Sequence, residues 1–220
     1  MRDIIVIGAG GLGREVAWLI ERINLNRPTW NMKGYLDDKE DIIGKKVNGY
    51  AVLGNVSLIE SFPEAFFVCA VGSSVIREKI VERAKRCNPL IRFATLIDPS
   101  VYVSKSVVIE AGSIICINSV VTVDIHIGEH VIINYGSTIG HDAKINDFVT
   151  LYPSVNVSGA VTIRRCSEVG VGSQIIQGKT INENSIIGAG AVVTHDVPKG
   201  SVVAGVPAKA INIKIKKEEA

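Results

Sequence analysis

The chain is short of cysteine, of long apolar runs and of net charge, and each shortage removes a class of function. Only four of its 220 residues are cysteine, Cys69, Cys87, Cys116 and Cys166. They stand apart, with no C-x-x-C pair and no histidine at ligand spacing. That argues against a disulfide framework or a zinc cluster and fits reduced thiols in a cytoplasmic protein. No stretch is apolar for the length of a membrane span, so none is expected, despite a mean hydropathy of +0.29. Met1-Arg2-Asp3 leads straight into an apolar segment, so no signal peptide is expected. Lysine and arginine total 24 against 22 acidic residues, a net charge of +2 with no dominant basic cluster, which argues against a nucleic-acid partner. The tail Lys214, Lys216, Lys217, Glu218, Glu219 is of mixed charge and reads as frayed.

What the chain has in excess is a six-residue period. From Ile97 to Val193 every sixth residue is Ile, Leu or Val, through Ile115, Ile127, Ile139, Leu151, Ile163, Ile175 and Ile187. The residue four places further on is small or Val, as in Ser113, Ser137, Ala143, Val155, Ser173 and Ala191, with Ile125 and Lys179 as departures. Neither a helix stripe nor a flat strand repeats at six. A parallel β-helix does: one aliphatic side chain per flat face fills the axis, and three faces make a turn of eighteen residues. The small residue is expected to let the chain round each corner.

The first ninety-odd residues have another pattern. Asp3 to Ile7 reads as a buried strand, followed by Gly8-Ala9-Gly10-Gly11-Leu12-Gly13 and a helix with apolar Val16, Leu19, Ile20 and Ile23. A second strand, about Lys33 to Leu36, ends at Asp37-Asp38; a third, about Ala65 to Val71, ends at Gly72-Ser73-Ser74 before a charged helix from about Val75 to Cys87. This order predicts a small parallel sheet with helices on its faces. The glycine motif lies between strand and helix, where backbone N–H groups can meet a phosphate at the helix's positive end. Asp37 stands where a ribose-binding acid belongs. The region holds one mononucleotide half only, which suits a mononucleotide or nucleotide-sugar better than a dinucleotide. The plainer alternatives are glycines that serve only a tight turn, and Asp37-Asp38 as a solvated turn.

There are four histidines. His130 and His195 read as surface residues, and His126 as a corner residue without a partner. His141 is followed by Asp142, a carboxylate able to orient its ring if the backbone bends there. Eighteen residues on, and so stacked one strand spacing above, comes Gly159, which leaves room beside the imidazole and a free backbone N–H. A base beside an oxyanion donor suits acyl transfer; a histidine in a surface turn is the bland alternative.

The glycine loop, Tyr35-Leu36-Asp37-Asp38, Ala70-Val71-Gly72-Ser73-Ser74, the segment from Asn134 to Asp142, and Gly205-Val206-Pro207-Ala208-Lys209 together resemble the PglD/NeuD-like hexapeptide acyltransferases, which acetylate nucleotide-linked amino sugars. The resemblance covers nearly the whole chain. It implies a half-Rossmann α/β domain over 1–93, a left-handed β-helix over 94–198 and a C-terminal extension over 199–220. It implies acetyl-CoA as co-substrate, no metal, and a homotrimer with sites between neighbouring solenoids. His141 would be the general base, assisted by Asp142. Thr150, Gly159, Val171, Gly172, Ala189 and Gly190 would contact the acetyl donor. Gly8, Gly10, Gly11, Leu12, Asp37, Asp38, Gly72, Ser73 and Asn134 would contact the nucleotide-sugar. Leu12 and Thr150 stand where the family often has histidine, which leaves the sugar and the acylated atom open.

Three rival readings remain at this level. The same base would serve O-acetylation of a sugar hydroxyl. A non-catalytic solenoid scaffold would not need the glycine loop, and a γ-carbonic-anhydrase-like zinc site needs three histidines from facing strands, where no pair here is eighteen apart. An NAD(P)-dependent reductase would leave the solenoid without a role.

Overall fold

The computed structural model describes residues 1–211, so the tail residues Lys214, Lys216, Lys217, Glu218 and Glu219 lie outside the described part. The N-terminal lobe comprises β1 (Arg2–Ile7), α1 (Gly11–Asn26), β2 (Trp30–Leu36), β3 (Lys46–Val47), β4 (Tyr50–Gly54), β5 (Phe66–Cys69), α2 (Ser74–Cys87) and β6 (Arg92–Phe93). The sheet order is β3-β4-β2-β1-β5-β6, parallel except for the β3–β4 pair. Ile4, Ile5, Val6 and Ile7 are all buried, as a central strand covered on both faces requires. Strands β3, β4 and β6 were not legible in the sequence, being short or mixed in character.

In α1, Val16, Ala17, Leu19 and Ile20 form the buried stripe. The helix ends at Arg27, held extended before Pro28. Its first turn carries no acidic residue, and its N-cap, Gly10, makes no side-chain cap.

Residues from 96 onward wind into a left-handed β-helix of three sheets. One holds strands Val120–Val121, Thr138–Ile139, Asn156–Val157, Gln174–Ile175 and Val192–Val193; a second holds Val108–Ile109, His126–Ile127, Lys144–Ile145, Thr162–Ile163 and Thr180–Ile181. The third runs from Leu96–Ile97 through Ile114–Ile115, Ile132–Ile133, Thr150–Leu151, Glu168–Val169 and Ile186–Ile187. Each strand pairs in parallel with the one eighteen residues on, as Ile132 with Thr150. From Ile115 to Val193 the aliphatics of the six-residue series form one buried core, while Ile97, Val103 and Ile109, at its open end, are only partly buried.

The corners differ in detail from the sequence expectation. The residue three places after each aliphatic makes the turn, in left-handed backbone conformation: Asn118, Asp124, His130, Gly136, Asp142, Phe148 and so on to Gly190. The small residue one place later lies inside the bend. There its hydroxyl stitches coils together: Ser113 donates to Gly128 O (2.7 Å) and accepts from Val131 N (2.9 Å). Residues 199–211, set apart in the sequence as an extension, add strand Val202–Ala204 beside Ile186–Ile187, and Lys209–Ala210 pairs back on it antiparallel.

The lobe sits on the third face. Val16, Ala17, Leu19 and Ile20 pack with Leu96, Ile114 and Ile132, whose side chains point outward from the solenoid yet are fully buried. Burying these three is worth about 2 kcal/mol each. Arg22 clamps Asp98 with two hydrogen bonds (2.6 and 3.1 Å), and Arg165 joins Glu78 on α2 (2.8 Å) to Asp147 (3.1 Å).

Candidate active site

Two groups of polar residues lie apart on this scaffold. The first is at the C-terminal ends of β1, β2 and β5. Gly8 adopts φ +99°, and a β-carbon there would stand 3.0 Å from Ala70 O. A β-carbon on Gly13 would overlap the Gly8 carbonyl oxygen, so only glycine allows α1 to start this close to β1. Gly10 has open space before it. Asp37 orders the loop rather than projecting freely: its carboxylate accepts from Ala9 N (2.7 Å) and Lys39 N (2.9 Å). Asp38 accepts from Val56 N and pairs with Arg83. Ile7, Gly8, Leu36, Asp37, Asp38, Val56, Val71, Ile76 and Ile80 line a cavity of about 220 Å³. Its aliphatic walls and acidic rim suit a nucleoside, and the uncapped N-terminus of α1 suits the phosphates that follow it. The N-terminus of α2 is not free for an anion, because Glu168 of the solenoid accepts from Ser74 N (2.8 Å) and Ser74 Oγ (2.9 Å).

The second group is on a solenoid edge. His141 Nδ1 lies 2.8 Å from Asp142 Oδ2, and both side chains are well exposed. The left-handed backbone at Asp142 (φ +61°) supplies the bend that adjacent strand residues lack. Gly159 stacks above: a β-carbon on it would lie 2.6 Å from His141 Cε1 and Nε2. Ala160 N donates to His141 O (2.7 Å), and among the described residues Gly159 N–H has no acceptor.

Val171, Gly172, Ala189 and Gly190 stand on a different edge, above Tyr135 and Pro153, with Gly172 N bonded to Pro153 O (2.9 Å) and Gly190 N to Val171 O (2.8 Å). The lobe covers the face between that edge and the edge carrying His130, Phe148 and Cys166. The His141 edge is the one opposite the lobe. One chain therefore does not bring its own glycine loop to its own His141.

One expected site residue is placed otherwise. Thr150 is fully buried under the lobe, its hydroxyl donating to Gly72 O (2.8 Å) and accepting from Arg77 (2.9 Å), so it cannot meet a cofactor. Asn134 is 7 % exposed, with Oδ1 unpaired. Leu12 is half-buried against the lobe core. Ser73 is half-exposed beside Gly72.

His130, read as a surface residue, is 1 % exposed. It stacks on Phe148 (centroids 5.1 Å) with Phe93 edge-on (4.5 Å), and burial pushes its pKa down to about 3. The lobe covers its corner, which the solenoid period alone does not reveal. His126 lies on a strand, not a corner, with Glu110 3.4 Å away. His195 is exposed. The cysteines are unpaired, and burial pushes the Cys69, Cys116 and Cys166 thiols up to about 12. No group of metal-ligating side chains occurs among the described residues, and no helix among them is long and apolar enough to cross a membrane.

Residues 3–84 match the family described as the PglD N-terminal domain. The whole chain is 32% identical over 212 residues to the GDP-perosamine N-acetyltransferase of Escherichia coli O157:H7, covering 93% of this chain and 94% of the relative. The structure is similar to PerB from Caulobacter crescentus, solved in complex with CoA and GDP-perosamine (TM-score 0.87, 27% identity, 96% and 97% of the two chains). It is also similar to the acetyltransferase domain of PglB from Neisseria gonorrhoeae FA1090, solved with acetyl coenzyme A (TM-score 0.86, 33% identity, 96% and 99%). An α/β lobe with a glycine loop, a β-helix presenting an oriented imidazole and these full-length likenesses agree: the chain belongs to the PglD/NeuD-like family of left-handed β-helix acyltransferases that acetylate nucleotide-linked amino sugars.

Proposed function

We propose that the protein transfers the acetyl group of acetyl-CoA to the amine of a nucleotide-linked amino sugar, with His141 as general base. The observation that carries this reading is the His141–Asp142 pair beside Gly159. With its Nδ1–H donated to the Asp142 carboxylate, the ring keeps the Nε2 lone pair outward on the Gly159 side. The amine nitrogen attacks the thioester carbonyl as a free base and His141 takes its proton. Such a base contributes about 10²- to 10⁴-fold in rate. The unengaged Gly159 N–H serves the oxyanion that forms on the carbonyl oxygen. The C–S bond then breaks, and the CoA sulfur leaves with the proton held by His141.

The acceptor is bound by the glycine loop, Asp37, Asp38 and the Gly72–Ser73 turn, and the pantetheine arm runs along the edge of Val171, Gly172, Ala189 and Gly190. Since His141 stands on the edge opposite the lobe, the base comes from a second copy, as a cyclic homotrimer with sites between neighbouring prisms provides. The complex of PerB with CoA and GDP-perosamine supports a nucleoside diphospho-sugar as acceptor class.

The test is incubation with acetyl-CoA and paired nucleotide-sugars bearing either an amine or a hydroxyl at the same carbon, following CoA release and product mass. Acetylation of the amine is expected. Turnover of hydroxyl substrates alone would replace the assignment with O-acetylation.

A further inference from the structure

Arg77, on the first turn of α2, has no exposed surface. Among the described residues it makes no ion pair. Its guanidinium is held by neutral acceptors on two sides. On the lobe side Nη1 donates to Val71 O (2.6 Å) and Gly72 O (3.0 Å). On the solenoid side Nε donates to His130 O (2.9 Å), and Nη2 to Phe148 O (2.8 Å), Val149 O (3.2 Å) and Thr150 Oγ1 (2.9 Å). Thr150 closes the ring by donating to Gly72 O (2.8 Å). One coil further, Glu168 takes Ser74 N and Ser74 Oγ on Oε1 and the Tyr152 hydroxyl on Oε2 (3.0 Å). The 71–74 loop is thus tied to the solenoid at Val71, Gly72 and Ser74.

That loop also shapes the nucleotide cavity. Val71 is one of its walls, and Gly8 packs so closely on Ala70 O and Val71 Cγ2 that a β-carbon there would stand 3.0 and 3.2 Å from them. A shift of the loop shifts the glycine turn with it. A buried arginine without a carboxylate is an expensive device for mere cohesion, since the apolar contacts of Leu96, Ile114 and Ile132 already hold the lobe. What a planar five-donor fork adds is fixed direction.

We propose that Arg77 is a positioning residue for the acceptor: with Thr150 and Glu168 it fastens the 71–74 loop to the third face of the solenoid, fixing the nucleotide cavity in register with the pantetheine edge. The proposal rests on the acetyl-transfer reading. Burial pulls the Arg77 pKa down to about 10, which leaves the guanidinium charged at neutral pH.

The test is steady-state kinetics of the full chain, with calorimetric binding of GDP, UDP and dTDP as a readout independent of transfer. Thr150→Val keeps the shape and deletes the bridge to Gly72. It is expected to raise the KM for the nucleotide-amino sugar about tenfold, the worth of a hydrogen bond in this network, with the KM for acetyl-CoA unchanged. Thr150→Ser restores the wild-type value. Arg77→Lys, which cannot reach both sides, acts in the same direction and more strongly, and amide exchange at Gly72 to Ser74 quickens in both weakened variants. Unchanged KM and nucleotide affinity in Thr150→Val and Arg77→Lys overturn the proposal while acetyl transfer stands. Equal rises in both KM values also overturn it, because they show a general loosening. A wild-type chain that binds none of the three nucleotides and acetylates no nucleotide-sugar removes the functional reading and this proposal together.

Discussion

Gly159 and His141, eighteen residues apart, occupy one edge of the prism in van der Waals contact, with no room for even a methyl group between them. A β-carbon at 159 would press on both Cε1 and Nε2 of the imidazole at 2.6 Å. Gly159→Ala must therefore displace the ring. Its backbone is otherwise undemanding, so the fold should survive. We expect kcat to fall by about two orders of magnitude, the scale of a misplaced catalytic group, with a thermal midpoint near wild type. Crystallography of the variant should show a rotated His141; a wild-type ring position with full activity would refute the packing argument.

Replacing His141 tests the base directly. His141→Asn keeps a polar side chain on the edge and removes the proton acceptor. The expected result is a kcat lower by about 10²- to 10⁴-fold with CoA affinity preserved. Asp142→Asn keeps a hydrogen-bond acceptor but loses the charge that stabilises the imidazolium, so its loss should be smaller. Turnover of His141→Asn within a few-fold of wild type would end the base assignment.

Under the proposed function, with His141 opposite the lobe, acceptor lobe and base are expected to come from different copies. A chain carrying His141→Ala and a chain carrying Gly13→Ala, whose β-carbon collides with Gly8 O, should each be inactive. Unfolded together and refolded as mixed oligomers, they should regain part of the activity, since some sites then pair an intact lobe with an intact base. Failure to complement, with mixed oligomers demonstrated, would place both elements in one copy.

His130 sets an acid limit on stability. It is packed between Phe93 and Phe148 with both ring nitrogens unpaired, and Lys85, Arg77 and Arg165 add positive charge nearby. Its folded pKa is about 3, against 6.5 in the unfolded chain. The unfolded state therefore binds the extra proton between these values, and stability falls as pH drops through that window. The contribution is about 1.4 kcal/mol per pH unit below 6.5. Urea unfolding of wild type and His130→Leu at several pH values between 7 and 4.5 should show this slope in the wild type and its loss in the variant. Parallel curves would show that His130 does not titrate with unfolding.

The stacking on the His141 edge was legible because it obeys the period. Once the turn is known to be eighteen residues, Gly159 above His141 follows by counting. The glycine loop was legible because Gly8 and Gly13 each meet a local backbone need, a positive φ at one and a close approach of helix to strand at the other. The lobe–solenoid junction was not. Arg77 looks like Arg83 or Arg86 in a charged helix, and Thr150 looks like Thr162 or Thr180 on a strand. One signal was present: the outward strand position reads Leu96, Ile114, Ile132 on one face, against Val108, His126, Lys144 and Val120, Thr138, Asn156 on the others. Three outward aliphatics in register mark a covered face, and they would have placed His130 and Thr150 beneath something.

The six-residue period by itself determined the prism, because each aliphatic has one inward place and the repeat admits one pitch. Local glycine chemistry likewise determined the turn between β1 and α1. Only the tertiary structure decided which face carries the lobe, and with it which polar residues are buried and which edge stays open for chemistry. That choice depends on contacts between segments 71 to 94 residues apart, Arg77 with Phe148 or Ser74 with Glu168, whose side chains gain their meaning only when the two surfaces meet.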